Sequence, residues 1–94
     1  MASEWDWDSR KNTSNIRKHG INFADAIHIF GGIVVEGIDS RTEYDETRWL
    51  AIGVMDRREI VVIYTERGER RRMISARRAT HHERQNYWKH IGDR

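Results

Sequence analysis

The spacing of apolar and polar residues predicts two helices near the start of the chain. The first is a polar segment from about Ser9 to Lys18, which either Asp8 or Ser9 can cap and which Gly20 can end. A second helix is expected to begin after Asn22, another good cap, and to end at Gly31-Gly32. Its apolar residues recur at helical spacing and would form one face: Phe23, Ala26, Ile27 and Phe30.

The pattern then changes to the period of β-strands. Four strands are predicted, and the connections between the last three are short enough for hairpins, which favours an antiparallel meander. These strands cover Ile33–Val35 with Ile38, then Trp49–Val54, Ile60–Thr65 and Arg70–Ala76.

A final helix has a clear start. Thr80 and Glu83 have the spacing of a capping box, and the helix they open is expected to continue to about Ile91. The order of elements predicts one α+β domain over residues 1–94, with two N-terminal helices, a four-stranded, mainly antiparallel sheet and a C-terminal helix. We expect the helices to lie on one side of the sheet.

Composition restricts the chemistry and the cellular setting. The chain has no cysteine, which excludes disulfides and cysteine-based metal sites and fits a reducing compartment. No apolar run approaches the roughly 20 residues of a membrane span, and the acidic start does not resemble a signal peptide. We therefore expect a cytoplasmic protein without membrane partners.

The net charge of +2 hides an uneven distribution. Residues 1–47 contain five Lys/Arg and nine Asp/Glu, a net charge of −4, whereas residues 48–94 contain twelve and six, a net charge of +6. Eleven of those twelve late cations are arginines, whose planar donors suit phosphate. The asymmetry indicates a polyanion or an acidic partner, although a solvated face with scattered ion pairs gives the same pattern.

The fourth predicted strand concentrates these arginines. Simple alternation places Arg70 and Arg72 on one face and Arg71 and Arg77 on the other. Such a run of cations is unfavourable unless negative charge lies nearby. A bound phosphate could supply that charge, and so could glutamates of the chain, while charged edge strands also prevent aggregation.

The histidines predict no metal site. His19, in the sequence Lys18-His19-Gly20, is either a cation at the end of the first helix or a proton-transfer group. His81 and His82 are adjacent on a predicted helix and cannot chelate one metal as an i, i+4 pair would. We predict neither a metal nor another cofactor.

Two long gapped motifs resemble the BrnT family of toxins and together cover nearly the whole chain. Between them the pattern continues with Glu46-x-Arg48 and Ile52-Gly53, whereas residues 32–45 match poorly. The motifs are Trp7-Asp8-x-x-Lys11-x-x-x-Asn15-x-x-Lys18-His19-Gly20-x-x-Phe23-x-x-Ala26 and Tyr64-Thr65-Glu66-Arg67-Gly68-x-x-x-Arg72-x-Ile74-Ser75-Ala76-Arg77-x-Ala79-Thr80-x-x-Glu83-Arg84-x-x-Tyr87.

The resemblance implies a RelE-like fold and RNA cleavage with little sequence specificity, which would arrest growth. It also implies neutralisation by BrnA, an antitoxin with a ribbon-helix-helix domain. Operator DNA would then be bound only through the toxin–antitoxin complex.

The resulting hypothesis is attack by the RNA 2′-hydroxyl on its adjacent phosphate without a metal, giving a 2′,3′-cyclic phosphate. Arg67, Arg72 and Arg77 would converge on the phosphate and stabilise its charge, and Lys18 or His19 would transfer protons. The further residues predicted to contact RNA are Lys11, Arg70, Arg78, Arg84 and Tyr87.

Two other functions remain open from the sequence. A non-catalytic module could use the same basic sheet to bind RNA or an acidic protein, because arginines at phosphate are common to both. A DNA-binding regulator is less favoured, because the sequence shows no convincing helix-turn-helix.

Overall fold

The computed structural model describes residues 4–40 and 46–92, and these form an α+β fold as predicted. Predicted features that fall on residues 41–45 lie outside the described part. The elements are β1 (Glu4–Asp6), α1 (Ser9–His19), α2 (Phe23–Ala26) with a 3₁₀ helix (Ile27–Gly31), β2 (Val35–Ile38), β3 (Arg48–Met55), β4 (Arg58–Arg67), β5 (Arg70–Arg78) and α3 (His81–Gly92).

Within the described residues the sheet has five strands in the order β1-β5-β4-β3-β2 and is mixed, so the prediction of four strands is wrong. The antiparallel meander β3-β4-β5 is confirmed, and β2 pairs antiparallel with β3. The missed strand is β1, which pairs parallel with β5 and places Trp5 beside Arg71. Three residues are too few to show an alternating pattern in the sequence. β1 forms a strand because the edge of β5 offers it a pairing partner.

Helices cover both faces of the sheet, which corrects the prediction that they share one side. On one face α2 and the 3₁₀ helix bury Phe23 and Ile29 against strand residues such as Val62 and Met73. On the other face Ala79, just before α3, and Tyr87, within α3, pack with Ile52, Val61 and Ile63. We call this second face the arginine face, since it carries Arg67, Arg70, Arg72 and Arg77.

Of the two predicted caps of α1 the structure uses Asp8, and Asn22 caps α2 as predicted, but the second helix differs. Asp8 accepts from the amides of Arg10 and Lys11, and Gly20 ends α1 with a φ of 72°. The segment after Asn22 makes one α-helical turn and then tightens into a 3₁₀ helix. With three residues per turn, the most buried positions become Phe23, Ala26 and Ile29, and Phe30 is only partly buried.

A bulge in β5 decides which arginines share a face. Ile63 is opposite Ser75 and Tyr64 is opposite Met73, so Ile74 is an extra residue on β5. An extra residue reverses the alternation beyond it. Arg72 and Arg77 therefore lie on the same face, although uninterrupted alternation would have separated them.

Close packing at Gly53 gives a first prediction. A Cβ built there would lie 2.8 Å from the Ile29 Cβ and 3.2 Å from the Val34 Cγ1. We expect Gly53→Ala to lower the free energy of unfolding by about 1–3 kcal/mol, because the 3₁₀ helix must move. Gly37→Ala, where nothing lies within 4 Å, is the matched strand control. Urea unfolding of both variants measures the difference, and equal stabilities would contradict the packing.

Candidate functional site

At one end of the arginine face, every predicted phosphate ligand already has a carboxylate partner. Arg72 Nη1 lies 3.1 Å from Asp6 Oδ1, so the missed strand β1 supplies the partner. Arg70 and Arg67 are more than half exposed and make looser pairs. These pairs are Arg70 with Glu4 at 3.2 Å and Asp6 at 3.7 Å, and Arg67 with Glu46 at 3.4 Å.

Arg77 is held far more firmly at the other end of the arginine face. Its Nη1 and Nη2 donate to both carboxylate oxygens of Glu83 at 2.8 and 2.9 Å, and both side chains are about one-fifth exposed. Glu83 also accepts from the Thr80 amide at 2.8 Å, while the Thr80 hydroxyl accepts from the Glu83 amide. The predicted capping box is confirmed, and Arg77 locks it to β5.

This arrangement makes the stability of the fold depend on pH. The hydrogen bonds from Arg77, followed by that from the Thr80 amide, lower the pKa of Glu83 from 4.5 to about 2 despite its burial. A carboxyl group with a lowered pKa stabilises the fold fully above its unfolded pKa and loses that contribution as the pH falls. We expect the advantage of wild type over Glu83→Gln to shrink by about 2 kcal/mol between pH 6 and pH 3. Urea unfolding at both pH values measures it, and a constant difference would contradict the assignment.

The structure does not bring the three guanidinium groups of the hypothesis to one point. Arg72 and Arg77 share a face, but five residues of extended chain separate their Cα atoms by about 15 Å. Their carboxylate partners, Asp6 and Glu83, belong to different elements. The predicted convergence of Arg67, Arg72 and Arg77 on a single phosphate is therefore not found.

Other predicted RNA contacts are occupied within the fold. Tyr87 is 4% exposed, and its hydroxyl donates to the Ile33 carbonyl at 2.8 Å. Arg84 donates to the Ala79 carbonyl at 3.1 Å and lies beside His81. Both positions argue against a role in binding RNA.

Arg71, on the opposite face, is surrounded by aromatic rings. Its guanidinium carbon lies 5.5 Å from the ring centre of Trp5 and 5.3 Å from those of Phe30 and Tyr64. Cation–π contacts of this kind stabilise the packing of β1 and the 3₁₀ helix on β5. They also direct Arg71 away from the arginine face.

The predicted lysines and His19 do meet, in a groove between α1 and β5. This α1–β5 groove has a volume of about 190 Å³. Ser75 lies on its floor, between Arg72 and Arg77 along the arginine face. The groove is lined by Lys11, Ser14, Asn15, Lys18, His19, Ile74 and Ser75.

Asn15 fixes α1 against the edge of β5. Its side-chain amide donates to the carbonyls of Ala76 at 2.8 Å and Ile21 at 2.9 Å, and its carbonyl accepts from the Ala76 amide at 3.2 Å. The side chain is thus hydrogen-bonded to the part of β5 that β1 does not reach. Asn15 is one of the motif residues, but no pattern in the sequence indicates this role.

The groove lysines differ from the arginines in having no internal counter-ion. Among residues 4–40 and 46–92, no ion pair includes Lys11 or Lys18. Both are exposed, and their spacing with Ser14 places all three on one side of α1. That spacing was visible in the sequence and could have grouped them. A phosphate in the groove would give these cations their missing partner.

Within the same described ranges, no three His, Asp or Glu side chains come close enough together to hold a metal ion. None of the helices described there is long and apolar enough to cross a membrane.

Comparison with known protein families identifies the chain. The family model described as the ribonuclease toxin BrnT of type II toxin–antitoxin systems matches residues 7–83. The chain belongs to this family. The match begins just after β1 and ends at Glu83, so it includes α1, the whole meander and both sides of the α1–β5 groove. A comparison with curated proteins finds no match. Membership of the BrnT family makes the chain a ribonuclease toxin with an antitoxin partner.

Proposed function

We propose that the chain cleaves RNA without a metal and that the scissile phosphate binds in the α1–β5 groove. The observation that carries this proposal is the pair Lys11 and Lys18, which face one groove and have no carboxylate partner among the described residues. Ser14 and Ser75 add hydroxyl donors to the same surface. The groove thus offers donors on two elements to one phosphate.

The proposed reaction is attack by the 2′-hydroxyl oxygen on the adjacent phosphorus. The bond from that oxygen to phosphorus forms while the bond to the 5′-oxygen breaks, which leaves a 2′,3′-cyclic phosphate and a 5′-hydroxyl. His19 accepts the 2′-hydroxyl proton, and the ammonium group of Lys18 donates a proton to the leaving 5′-oxygen. Lys11 and Lys18 stabilise the charge that develops on the phosphate oxygens.

The arginines have different parts in this proposal. Arg72 is about one-third exposed, and Arg67 and Arg70 are more exposed, so their loose ion pairs can open to bind phosphates along the RNA. Arg77 stays with Glu83, because breaking a part-buried bidentate pair is costly. We therefore assign Arg77 a positioning role at the end of β5, where it holds α3 in place.

Neutralisation by a BrnA-type ribbon-helix-helix antitoxin is the second part of the proposal. The uneven charge supports it, because a basic C-terminal half favours an acidic binding segment. Toxin and antitoxin would act together in the cytoplasm, and operator DNA would be bound only by the complex. Co-expression with the candidate antitoxin should restore growth, and copurification of the two chains would confirm the contact.

One observation favours the alternative of a non-catalytic binding module. Carboxylate partners already hold Arg67, Arg70, Arg72 and Arg77, an arrangement that suits weak, salt-dependent docking better than the preorganised charge that cleavage needs. Incubation of the purified chain with 5′-labelled RNA in EDTA separates the two functions. Fragments that end in a cyclic phosphate support the nuclease, whereas intact RNA with a salt-dependent mobility shift supports the binding module.

A further inference from the structure

A second, larger cavity lies on the other side of His19. Its volume is about 500 Å³, well within the range of sites that enclose a small organic ligand. The end of α1 forms one wall, the β3–β4 hairpin another, and the last residue of β5 a third. No function described above uses it.

The lining of this cavity combines an apolar wall with charged groups. Ile21, Met55 and Ile60 supply the apolar part, and Arg58 and Arg78 supply two cations. Within residues 4–40 and 46–92, neither arginine side chain takes part in an ion pair. Cations that have no partner beside an apolar wall suit a ligand with a flat apolar part and a phosphate.

A carboxylate beside this wall adds a hydrogen-bond acceptor. Asp56 lies in the two-residue turn of the β3–β4 hairpin, where Asp56 and Arg57 have φ values of 52° and 65°. Two positive φ values are typical of the tight hairpin turn that matches strand twist, so the backbone position of Asp56 beside the cavity is well defined. Its carboxylate can accept from amino or imino groups of a nucleobase, as carboxylates do from bases.

His19 connects this cavity to the α1–β5 groove, because it lines both. An RNA strand that leaves the groove over the end of α1 therefore enters the cavity directly. The space beside Gly20, the next residue, is open, since a Cβ built there meets no atom within 4 Å.

We propose that the cavity is a nucleotide subsite that binds an RNA nucleotide next to the scissile phosphate, an inference that rests on the proposed function of the groove. The base packs against Met55 and Ile60, and the nucleotide's phosphate binds Arg58 and Arg78. The Asp56 carboxylate accepts hydrogen bonds from the base. This favours guanine, which has two neighbouring donors, over uracil. The site would give the nuclease a preference for the base at this position.

The test uses nucleotide binding, which does not require cleavage. Guanosine 3′-monophosphate is titrated into the chain while the methyl signals of Met55 and Ile60 are followed by NMR. We expect these signals to shift and the affinity to fall by about tenfold in Arg58→Ala/Arg78→Ala. Arg17→Ala/Arg57→Ala removes the same charge outside the cavity and should change the affinity less than about twofold. Uridine 3′-monophosphate should bind more weakly than the guanosine probe.

Other outcomes would overturn either the subsite or the nuclease. If both double variants lost affinity for the guanosine probe equally, the effect would come from net charge and not from the cavity. If inorganic phosphate bound as tightly as the guanosine probe, the base would have no role. A chain that binds the guanosine probe here but never cleaves RNA would refute the nuclease and keep the binding site. A chain that cleaves RNA but shows no methyl shifts would refute the subsite alone.

Discussion

Replacement of both groove lysines with alanine is expected to lower the rate of RNA cleavage by at least about 10²-fold and to abolish growth arrest. Lys11 and Lys18 are the two cations of the α1–β5 groove that lack a partner within the described residues, so their charge is free to stabilise a phosphate. Loss of one such donor from a preorganised site commonly costs 10²–10³ in rate. Single-turnover cleavage of a labelled RNA measures the effect.

The third lysine of the chain provides the control. Lys89 is exposed near the end of α3, away from the groove, and Lys89→Ala should cleave RNA at the wild-type rate. The groove lysines are exposed as well, so the double variant should keep its thermal stability. A folded double variant with wild-type cleavage would remove the groove from the mechanism.

The second large effect is expected at Asn15. Asn15→Ala deletes three side-chain hydrogen bonds and leaves the buried backbone groups of Ala76 without partners on that side. The expected loss is about 2–4 kcal/mol in the free energy of unfolding. In a chain of this size such a loss lowers the melting temperature by more than about 10 °C. Thermal unfolding followed by circular dichroism measures it.

Asn86 gives a matched comparison for this variant. It is an exposed asparagine within α3, and Asn86→Ala should leave the stability unchanged or slightly higher, because alanine favours helices. If Asn15→Ala were as stable as Asn86→Ala, the side chain would not be what holds α1 on β5. Loss of cleavage by the Asn15→Ala variant at a temperature where it is still folded would show that the groove depends on this attachment.

Local signals in the sequence were sufficient for most elements. Asp8, Asn22 and the Thr80–Glu83 box predicted helix starts that the structure confirms, since a cap depends on residues a few positions apart. The hairpins followed from short connections between apolar runs.

Features that depend on distant residues could not be predicted in this way. β1 is too short to be recognised alone and exists only as a partner for the edge of β5. The bulge at Ile74 appears only in the register with β4, yet it places Arg72 and Arg77 on one face. A single extra residue thus reversed the face that alternation assigned to Arg77.

The candidate site was predicted unevenly for the same reason. Lys11, Lys18 and His19 lie within one helix, and the structure groups them in the groove. The role of the arginines depends on carboxylates far away in sequence, and only the fold shows that Asp6 lies beside Arg72. The distribution of charge along the sequence therefore located the basic surface. It could not show which cations of that surface are available to a ligand.

Binding of an RNA that cannot react tests the position of the phosphate most directly. An oligonucleotide with 2′-O-methyl groups lacks the attacking hydroxyl, so its complex should persist while amide shifts are recorded from the ¹⁵N-labelled chain. We predict large shifts at Lys11, Ser14, Lys18 and Ser75, which line the α1–β5 groove. Unchanged signals at these four residues, with the largest shifts around Phe30 on the opposite face, would contradict the account.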